Sequence, residues 1–330
     1  MEPTPVKIKL DNIHCSDEGD FIGSAEPYLW TVFFKIDGDT THVDSSLTLQ
    51  GTATVVTTPG NHGNLGVHDV DAGDDIPIPP ALGELSTVLT PIPVDSMPGT
   101  TVPGVIGCIV VLLEEDETPS SAVQAGHAAL NQAVQTALDE LISTLSVLHP
   151  SPTDNEIKAL TDKVGKKVED AISDNVSVWD WLTALGNEDD KIGTKVFYYS
   201  QNDICKAVLP GIRLYQEWQN EGRWQISGSI HTEIHELEVG CIHKPTGNAE
   251  AHHIDHLGGV FNGQSWQLTN TEVMGYIQSG VRFYVSGTDG SRAQVEVQQH
   301  WKSNANPTGR YLTTVPDRSK ADNLLSLPQC

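Results

Sequence analysis

Val6-Lys7-Ile8-Lys9-Leu10, near the start of the chain, alternates apolar and basic side chains one residue at a time. A period of two sends successive side chains to opposite faces, so this stretch reads as a strand with one buried face. The acidic turn Asp17-Glu18-Gly19-Asp20 follows, and the apolar run 28–36 gives a second strand. Residues 37–107 are rich in Gly, Thr, Pro and Asp, with strand candidates at 46–57 and 101–113 and turn residues between them. Strand character returns at 195–200 and 224–234. The pattern predicts a β-sandwich whose short strands are joined by long loops.

At Pro119-Ser120-Ser121 the period changes. Leu130, Val134, Leu138, Leu141, Leu145 and Leu148 recur at three- and four-residue steps, which marks one face of a helix over 121–148, about 42 Å long at 1.5 Å per residue. Pro150-Ser151-Pro152 ends it. Thr153 and Glu156 then form a capping-box pattern that opens a second helix on Ile157, Leu160, Val164, Val168 and Ile172. A helical hairpin over about 120–175 is therefore expected within the sandwich. After residue 237 the pattern gives strands at 239–243 and 253–261, a helix at 270–279, and strands at 282–285, 293–299 and 310–315. The expected fold is mainly β with α+β character: a sandwich domain over 1–237 with its inserted hairpin, then a small α+β domain over 238–330.

Charge is distributed unevenly. Residues 36–157 contain no Lys or Arg but 17 Asp and Glu, and residues 1–236 carry 36 acids against 12 bases, while residues 237–330 carry 8 against 7. Such a field repels nucleic acid and anionic membranes unless a divalent cation or a basic partner intervenes. No run reaches the roughly 18 apolar residues of a membrane span, and the opening Met1-Glu2-Pro3-Thr4-Pro5 has no secretory pattern. A cytoplasmic chain, or one exported by a signal-independent route, is expected. Five scattered cysteines, Cys15, Cys108, Cys205, Cys241 and Cys330, show no metal or redox spacing and read as buried, reduced thiols.

Calcium takes six to eight oxygen ligands, gathered from carboxylates on neighbouring loops. Four clusters offer them: Asp17, Glu18 and Asp20; Asp69, Asp71, Asp74 and Asp75; residues 114–117; and Glu188, Asp189 and Asp190. Asp17-Glu18-Gly19-Asp20 with Ser24-Ala25-Glu26-Pro27-Tyr28 resembles the first metal loop of the calcium-dependent phospholipid-binding sandwich of the protein kinase C and synaptotagmin type. Val176-Ser177-Val178-Trp179-Asp180 and Asp189-Asp190-Lys191-Ile192-Gly193 resemble that family's other acidic loop. Glu26 stands where the family has aspartate, Leu182 replaces a second ligand, and the hairpin is a large insertion. Residues 176–185 also read as a short helix. The resemblance implies calcium ligands at Asp17, Asp20, Glu26, Asp180, Asp189 and Asp190, and a lipid surface or a protein partner reached through the ion.

His252, His253 and His256 cluster around Asp255, with His231 and His235 upstream. A strand-borne His-x-x-His lacks the geometry of a helical zinc motif, and no cysteine pair completes a structural site, so this cluster ranks below the acidic loops. Neither a Gly-x-Ser-x-Gly elbow nor a phosphate-binding loop occurs, and no residue is given a catalytic role. His253-Ile254-Asp255-His256-Leu257-Gly258-Gly259, Trp266 with Leu268, Phe283-Tyr284-Val285, Tyr311-Leu312-Thr313-Thr314-Val315-Pro316-Asp317 and the tail Asp322-Asn323-Leu324-Leu325-Ser326-Leu327-Pro328-Gln329-Cys330 resemble a small bacterial domain family of unknown function. The expectation is a non-enzymatic, calcium-dependent binding or structural protein. The first alternative is a membrane-inserting toxin or effector using the hairpin, which could also self-associate. The second is a zinc hydrolase through His252–His256.

Overall fold

The computed structural model describes residues 1–19, 24–115, 118–146, 155, 191–207, 209, 211–232, 234, 236–244, 254–278, 280–299, 310–315 and 323–330. The second predicted helix, residues 176–185, His252, His253 and His235 lie outside them. The chain divides into two compact units: residues 1–204 with 211–231, and residues 205–210 with 232–330.

The first unit is built on two sheets. Strand β1 (Thr4–Asp17) is followed by β2 (Pro27–Ile36), β3 (Thr54–Thr57), β4 (Asp75–Pro77), β5 (Glu84–Leu89), β6 (Val105–Glu114), helix α1 (Ser120–Ile142), β7 (Lys191–Ser200), β8 (Ile212–Trp218) and β9 (Arg223–Thr232). One sheet runs β8-β9-β1, with both β4 and β5 paired along the far edge of β1; the other runs β7-β6-β2-β3. Val6, Ile8 and Leu10 point inward as the alternation predicts, while Lys7 pairs with Glu84 at 2.7 Å and Lys9 with Asp11 at 2.9 Å. At Asp11-Asn12 the inward phase slips by one residue, so that Ile13 and Cys15 are the next to be buried. The slip coincides with the change of partner, from Lys9 opposite Glu84 to Asn12 opposite Pro77.

Strands β2 and β6 are buried along their whole length. One face, with Leu29, Phe33, Ile106, Cys108, Val110 and Leu112, meets the first sheet; the other, with Tyr28, Trp30, Val32, Ile109, Val111 and Leu113, meets α1. An uninterrupted apolar strand needs a cover on both sides, and α1 supplies the third layer. Its stripe of Val123, Leu130, Val134, Leu138 and Leu141 fills that second core. Gln135 Nε2 donates to the Ala53 carbonyl at 2.9 Å, and Asp139 Oδ1 accepts from the Ala53 amide at 2.9 Å.

The helix ends six residues before the predicted boundary at 148. The Ser143 and Thr144 hydroxyls donate to the carbonyls of Glu140 and Leu141, competing with further helical bonds, and the chain then pairs Ser146 with Thr48. Leu145 keeps its place in the core from outside the helix. Among the described residues, no helix is long and apolar enough to cross a membrane.

The second unit contains β10 (Glu236–Glu238), β11 (Cys241–His243), β12 (His256–Phe261), β13 (Gln264–Thr269), α2 (Asn270–Gln278), β14 (Arg282–Ser286), β15 (Arg292–Gln299) and β16 (Arg310–Thr314). Its sheets run β11-β12-β13 and β10-β14-β15-β16, the β10–β14 pair being parallel. Asn262 and Gly263 both hold positive φ, 48° and 78°, which is the backbone of a two-residue hairpin turn between β12 and β13. Ile242, Leu257, Leu268, Val273, Phe283, Val295 and Leu312 form the core, and Trp266 meets Phe283 edge-on at 5.9 Å.

The expectation of five reduced thiols is corrected here. Cys241 and Cys330 form a disulfide, with their Cα atoms 5.0 Å apart. The tail runs beside β11, the Ile242 amide donating to the Pro328 carbonyl and the Cys330 amide to the Ile242 carbonyl, both at 3.0 Å. This pairing brings the two sulfurs together across 89 residues of sequence. Cys15, Cys108 and Cys205 are buried and take part in no disulfide.

Candidate metal centre

Two groups of residues merit comparison. At one end of the first unit, strand ends gather the acids that the sequence places on loops. Register sets Glu114 opposite Pro27 and Leu113 opposite Lys191, so β2, β6 and β7 share that end. The Cys15 amide donates to the Asp74 carbonyl at 3.0 Å, Ala25 bridges Val70, and the Glu115 amide donates to the Glu26 carbonyl at 3.0 Å. Asp17, Glu26, residues 69–75 and Glu115 are thereby neighbours in space.

Most of these carboxylates have local partners. Asp17 Oδ1 accepts from the Gly19 amide, Asp69 Oδ1 from Ser24 Oγ and Asp74 Oδ2 from the Asp71 amide. Asp75 Oδ1 lies 3.0 Å from His14 Nδ1, and Glu115 Oε1 lies 3.0 Å from His62 Nδ1. Glu18 differs, because its Oε2 is buried and has no hydrogen-bond partner among the described residues. Of the six predicted ligands the structure describes Asp17 and Glu26 at this end; Asp20, Asp180, Asp189 and Asp190 lie outside the described residues. No three acidic side chains converge there among the described residues.

The second group is in the second unit. His243 closes β11 and His256 opens β12, and the two stand directly opposite each other across the antiparallel pair. Directly paired residues project to the same face, with Cβ atoms about 5 Å apart, and here the ring centroids are 5.8 Å apart. Asp255 precedes His256, and its amide donates to the His243 carbonyl at 3.1 Å. Asp255 Oδ1 lies 2.6 Å from His243 Nδ1 and 3.2 Å from His256 Nδ1. The hydrogen bond from His243, with a smaller contribution from His256, outweighs the opposing effect of burial and holds the Asp255 carboxyl below its ordinary value.

His243, Asp255 and His256 are the convergent set of metal-ligating side chains among the described residues, with donor atoms all within 4.8 Å of one another. Sequence reading identified Asp255 and His256 and missed His243, which lies twelve residues before Asp255 on another strand. A linear motif search finds neighbours along one element, and this pair is made by sheet register.

The segment is held from several sides. The Asn270 amide donates to the Asp255 carbonyl at 2.8 Å, and Asn270 Nδ2 to the Ile254 carbonyl at 2.8 Å. Thr269 and Glu272 form a capping box at the start of α2: Glu272 Oε2 accepts from the Thr269 amide at 2.7 Å, and Thr269 Oγ1 accepts from the Glu272 amide at 3.3 Å. Those bonds lower the Glu272 carboxyl below its ordinary value, with a smaller contribution from His256. Asp255 also lines a cavity of about 670 Å³ whose walls include Thr269, Asn270, Gln278 and Arg310.

Comparison with known proteins adds little chemistry. No curated protein matches the chain. A solved structure of human GIVD cytosolic phospholipase A2, in complex with a methyl gamma-linolenyl fluorophosphonate inhibitor and terbium chloride, aligns with 70% of this chain at 8% identity and a TM-score of 0.24. The aligned part is 18% of that protein, and a likeness this low carries no argument. Residues 238–328, which include His243, Asp255 and His256, match the family described as a protein of unknown function (DUF3892), and the match supports a separate small C-terminal domain.

Proposed function

We propose that this chain is a calcium-dependent binding protein that holds the ion at the acidic end of its sandwich. The observation that carries this reading is the buried Oε2 of Glu18, which has no hydrogen-bond partner among the described residues, on the strand end that brings Asp17 near Glu26 and residues 69–75. A carboxylate oxygen shut from water costs several kcal/mol unless a donor or a cation meets it. The stretch 36–157 contributes no Lys or Arg that could serve. Hard oxygen donors on loops suit calcium, and positions left open on the ion would accept phosphate or carboxylate oxygens of a partner surface. The resemblance of the Asp17 and Asp189 loops to calcium-dependent lipid-binding sandwiches supports the same reading. No observation favours the membrane-inserting alternative, since the α1 stripe lies inside the second core.

The test is a thermal melt of chelator-treated protein titrated with calcium, with magnesium as control, on the wild type, Glu18→Gln and the double variant Asp189→Ala/Asp190→Ala. At free calcium about one hundred times Kd, binding contributes about 2.7 kcal/mol, or roughly 5–10 °C in Tm. A calcium-selective rise that both variants lose supports the proposal. No rise, or an equal rise with magnesium, reduces these acids to solubilising charge.

A further inference from the structure

We propose that His243, Asp255 and His256 bind one divalent transition-metal ion of the zinc class, at the wall of the cavity that Asp255 shares with Arg310. The site is separate from the acidic loops in its chemistry as well as its place. Two imidazole nitrogens with one carboxylate oxygen are borderline donors that select zinc and its neighbours in the first row, whereas calcium prefers an all-oxygen shell.

The geometry favours an ion over a simple hydrogen-bonded cluster. A single oxygen, Asp255 Oδ1, faces the Nδ1 atoms of both rings, at 2.6 and 3.2 Å. It serves His243 with a hydrogen bond, while His256 Nδ1 is shut from solvent and has no well-directed one among the described residues. Protein interiors seldom leave such a nitrogen unsatisfied, and each exception asks for an explanation such as a missing ion. Two tetrahedral ligands at about 2.0–2.1 Å from zinc stand roughly 3.3 Å apart. The donor atoms here lie within 4.8 Å of one another, so the widest pair closes by at most about 1.5 Å while the 2.6 Å contact between Asp255 and His243 opens by about 0.7 Å to admit the ion.

The support is of the kind that metal sites use. Strand register fixes both histidines, the Cys241–Cys330 disulfide lies two residues from His243, and Asn270 and the Thr269–Glu272 capping box fix the segment around Asp255. The three side chains are 47%, 40% and 38% exposed, which gives an ion a route in. Three protein ligands leave at least one coordination position open, as in sites that take an exogenous ligand. Arg310 on the cavity wall suits an anion there.

Isothermal titration of chelator-stripped, disulfide-intact, full-length protein with zinc chloride, run in excess calcium so that oxygen sites are occupied, tests the proposal. The expected result is one equivalent bound with Kd in the micromolar range or tighter. His243→Ala, His256→Ala and Asp255→Asn should each weaken binding at least about tenfold. The metal-free variants should still melt cooperatively, His243→Ala and Asp255→Asn somewhat below the wild type because they lose the bond between these two side chains, and these melts establish folding independently of binding. Binding below one equivalent in the wild type overturns the proposal. So does wild-type affinity in His243→Ala, which would place the ion on other histidines.

Discussion

Lys35 Nζ stands 2.8 Å from Asp37 Oδ2, with the carboxylate wholly buried and the lysine side chain 11% exposed. Lys35 is also the last cation before the long acidic stretch that begins at residue 36. Asp37 accepts two further bonds: Oδ2 from the Thr90 amide at 2.9 Å and Oδ1 from the Asp39 amide at 3.2 Å. The Lys35 ammonium adds bonds to Asp39 Oδ2 at 2.5 Å and the Val88 carbonyl at 3.0 Å. Removing one member of such a pair strands a buried charge and costs about 3–5 kcal/mol. Asp37→Ala should therefore lower the urea midpoint strongly, and Asp37→Asn, which keeps part of the hydrogen bonding, should lower it less.

The same cluster gives a pH prediction with a definite sign. The hydrogen bond from Lys35, then that from Thr90, holds the Asp39 carboxyl below its ordinary 3.8. A depressed carboxyl adds stability that is present above its unfolded value and is lost as the pH falls through the folded one. For Lys35, burial pulls the ammonium down, but the bonds to Asp37 and Asp39 outweigh it and leave the group above its ordinary 10.5. Its contribution is complete below that value and disappears as the pH rises through the raised one. Tm should be flat near neutrality and decline below pH 3.8 and above pH 10.5. Asp39→Asn should melt lower than wild type at pH 7 and converge with it in acid; parallel curves down to pH 2.5 would contradict the assignment.

How much of this could be read from the chain depends on where its local patterns hold. The Lys7 and Lys9 alternation identified β1, but the reading stopped at Leu10, because the phase slip at Asp11-Asn12 breaks the period where the strand changes partner. The apolar runs of β2 and β6 were legible as strands. That both need a cover on each face does not follow from their local pattern; the α1 stripe asks for a surface to bury it, and the sheet supplies that surface, while the second helix of the expected hairpin lies outside the described residues. Strands β8 and β13 were missed: Ile212, Leu214 and Trp218 are spread over seven residues with polar Gln216 between, and Trp266 and Leu268 offer only two inward positions. The sites divide on the same principle. Acidic loops announce themselves by composition, whereas the His243–His256 pair and the Cys241–Cys330 bond exist only through sheet register and a returning tail, which spacing along one element does not encode.

Helix α1 offers a direct check on the third layer. Leu138 is fully buried in the core shared with Trp30, Val32 and Ile109, while Gln132 is on the exposed face. Leu138→Ala should destabilise the first unit by about 2–5 kcal/mol, the range for a buried leucine replaced by alanine. Gln132→Ala should stay within about 0.5 kcal/mol of wild type. Equal, small effects at both positions in urea titrations would mean that the stripe is not packed against the sheet.

The Cys241–Cys330 bond gives the last prediction. Closing 89 residues should stabilise the second unit by about 2–5 kcal/mol, mainly by restricting its unfolded chain. For a unit of about one hundred residues that is a fall in Tm of at least about 10 °C when the bond is removed. Cys241→Ser, Cys330→Ser and the double variant should fall by similar amounts, because any one of them removes the whole cross-link and the effects cannot add. The other thiols provide the control. Burial pushes the Cys108 thiol up to about 12, and burial, followed by the Glu18 charge, pushes Cys15 up to about 11. Both should therefore resist alkylation at pH 8 in the native protein. Reductant should expose Cys241 and Cys330 to iodoacetamide before either of them, and mass mapping of the first modified peptides reads that order directly. Cys15 or Cys108 labelling first would place the reducible weakness in the sandwich instead.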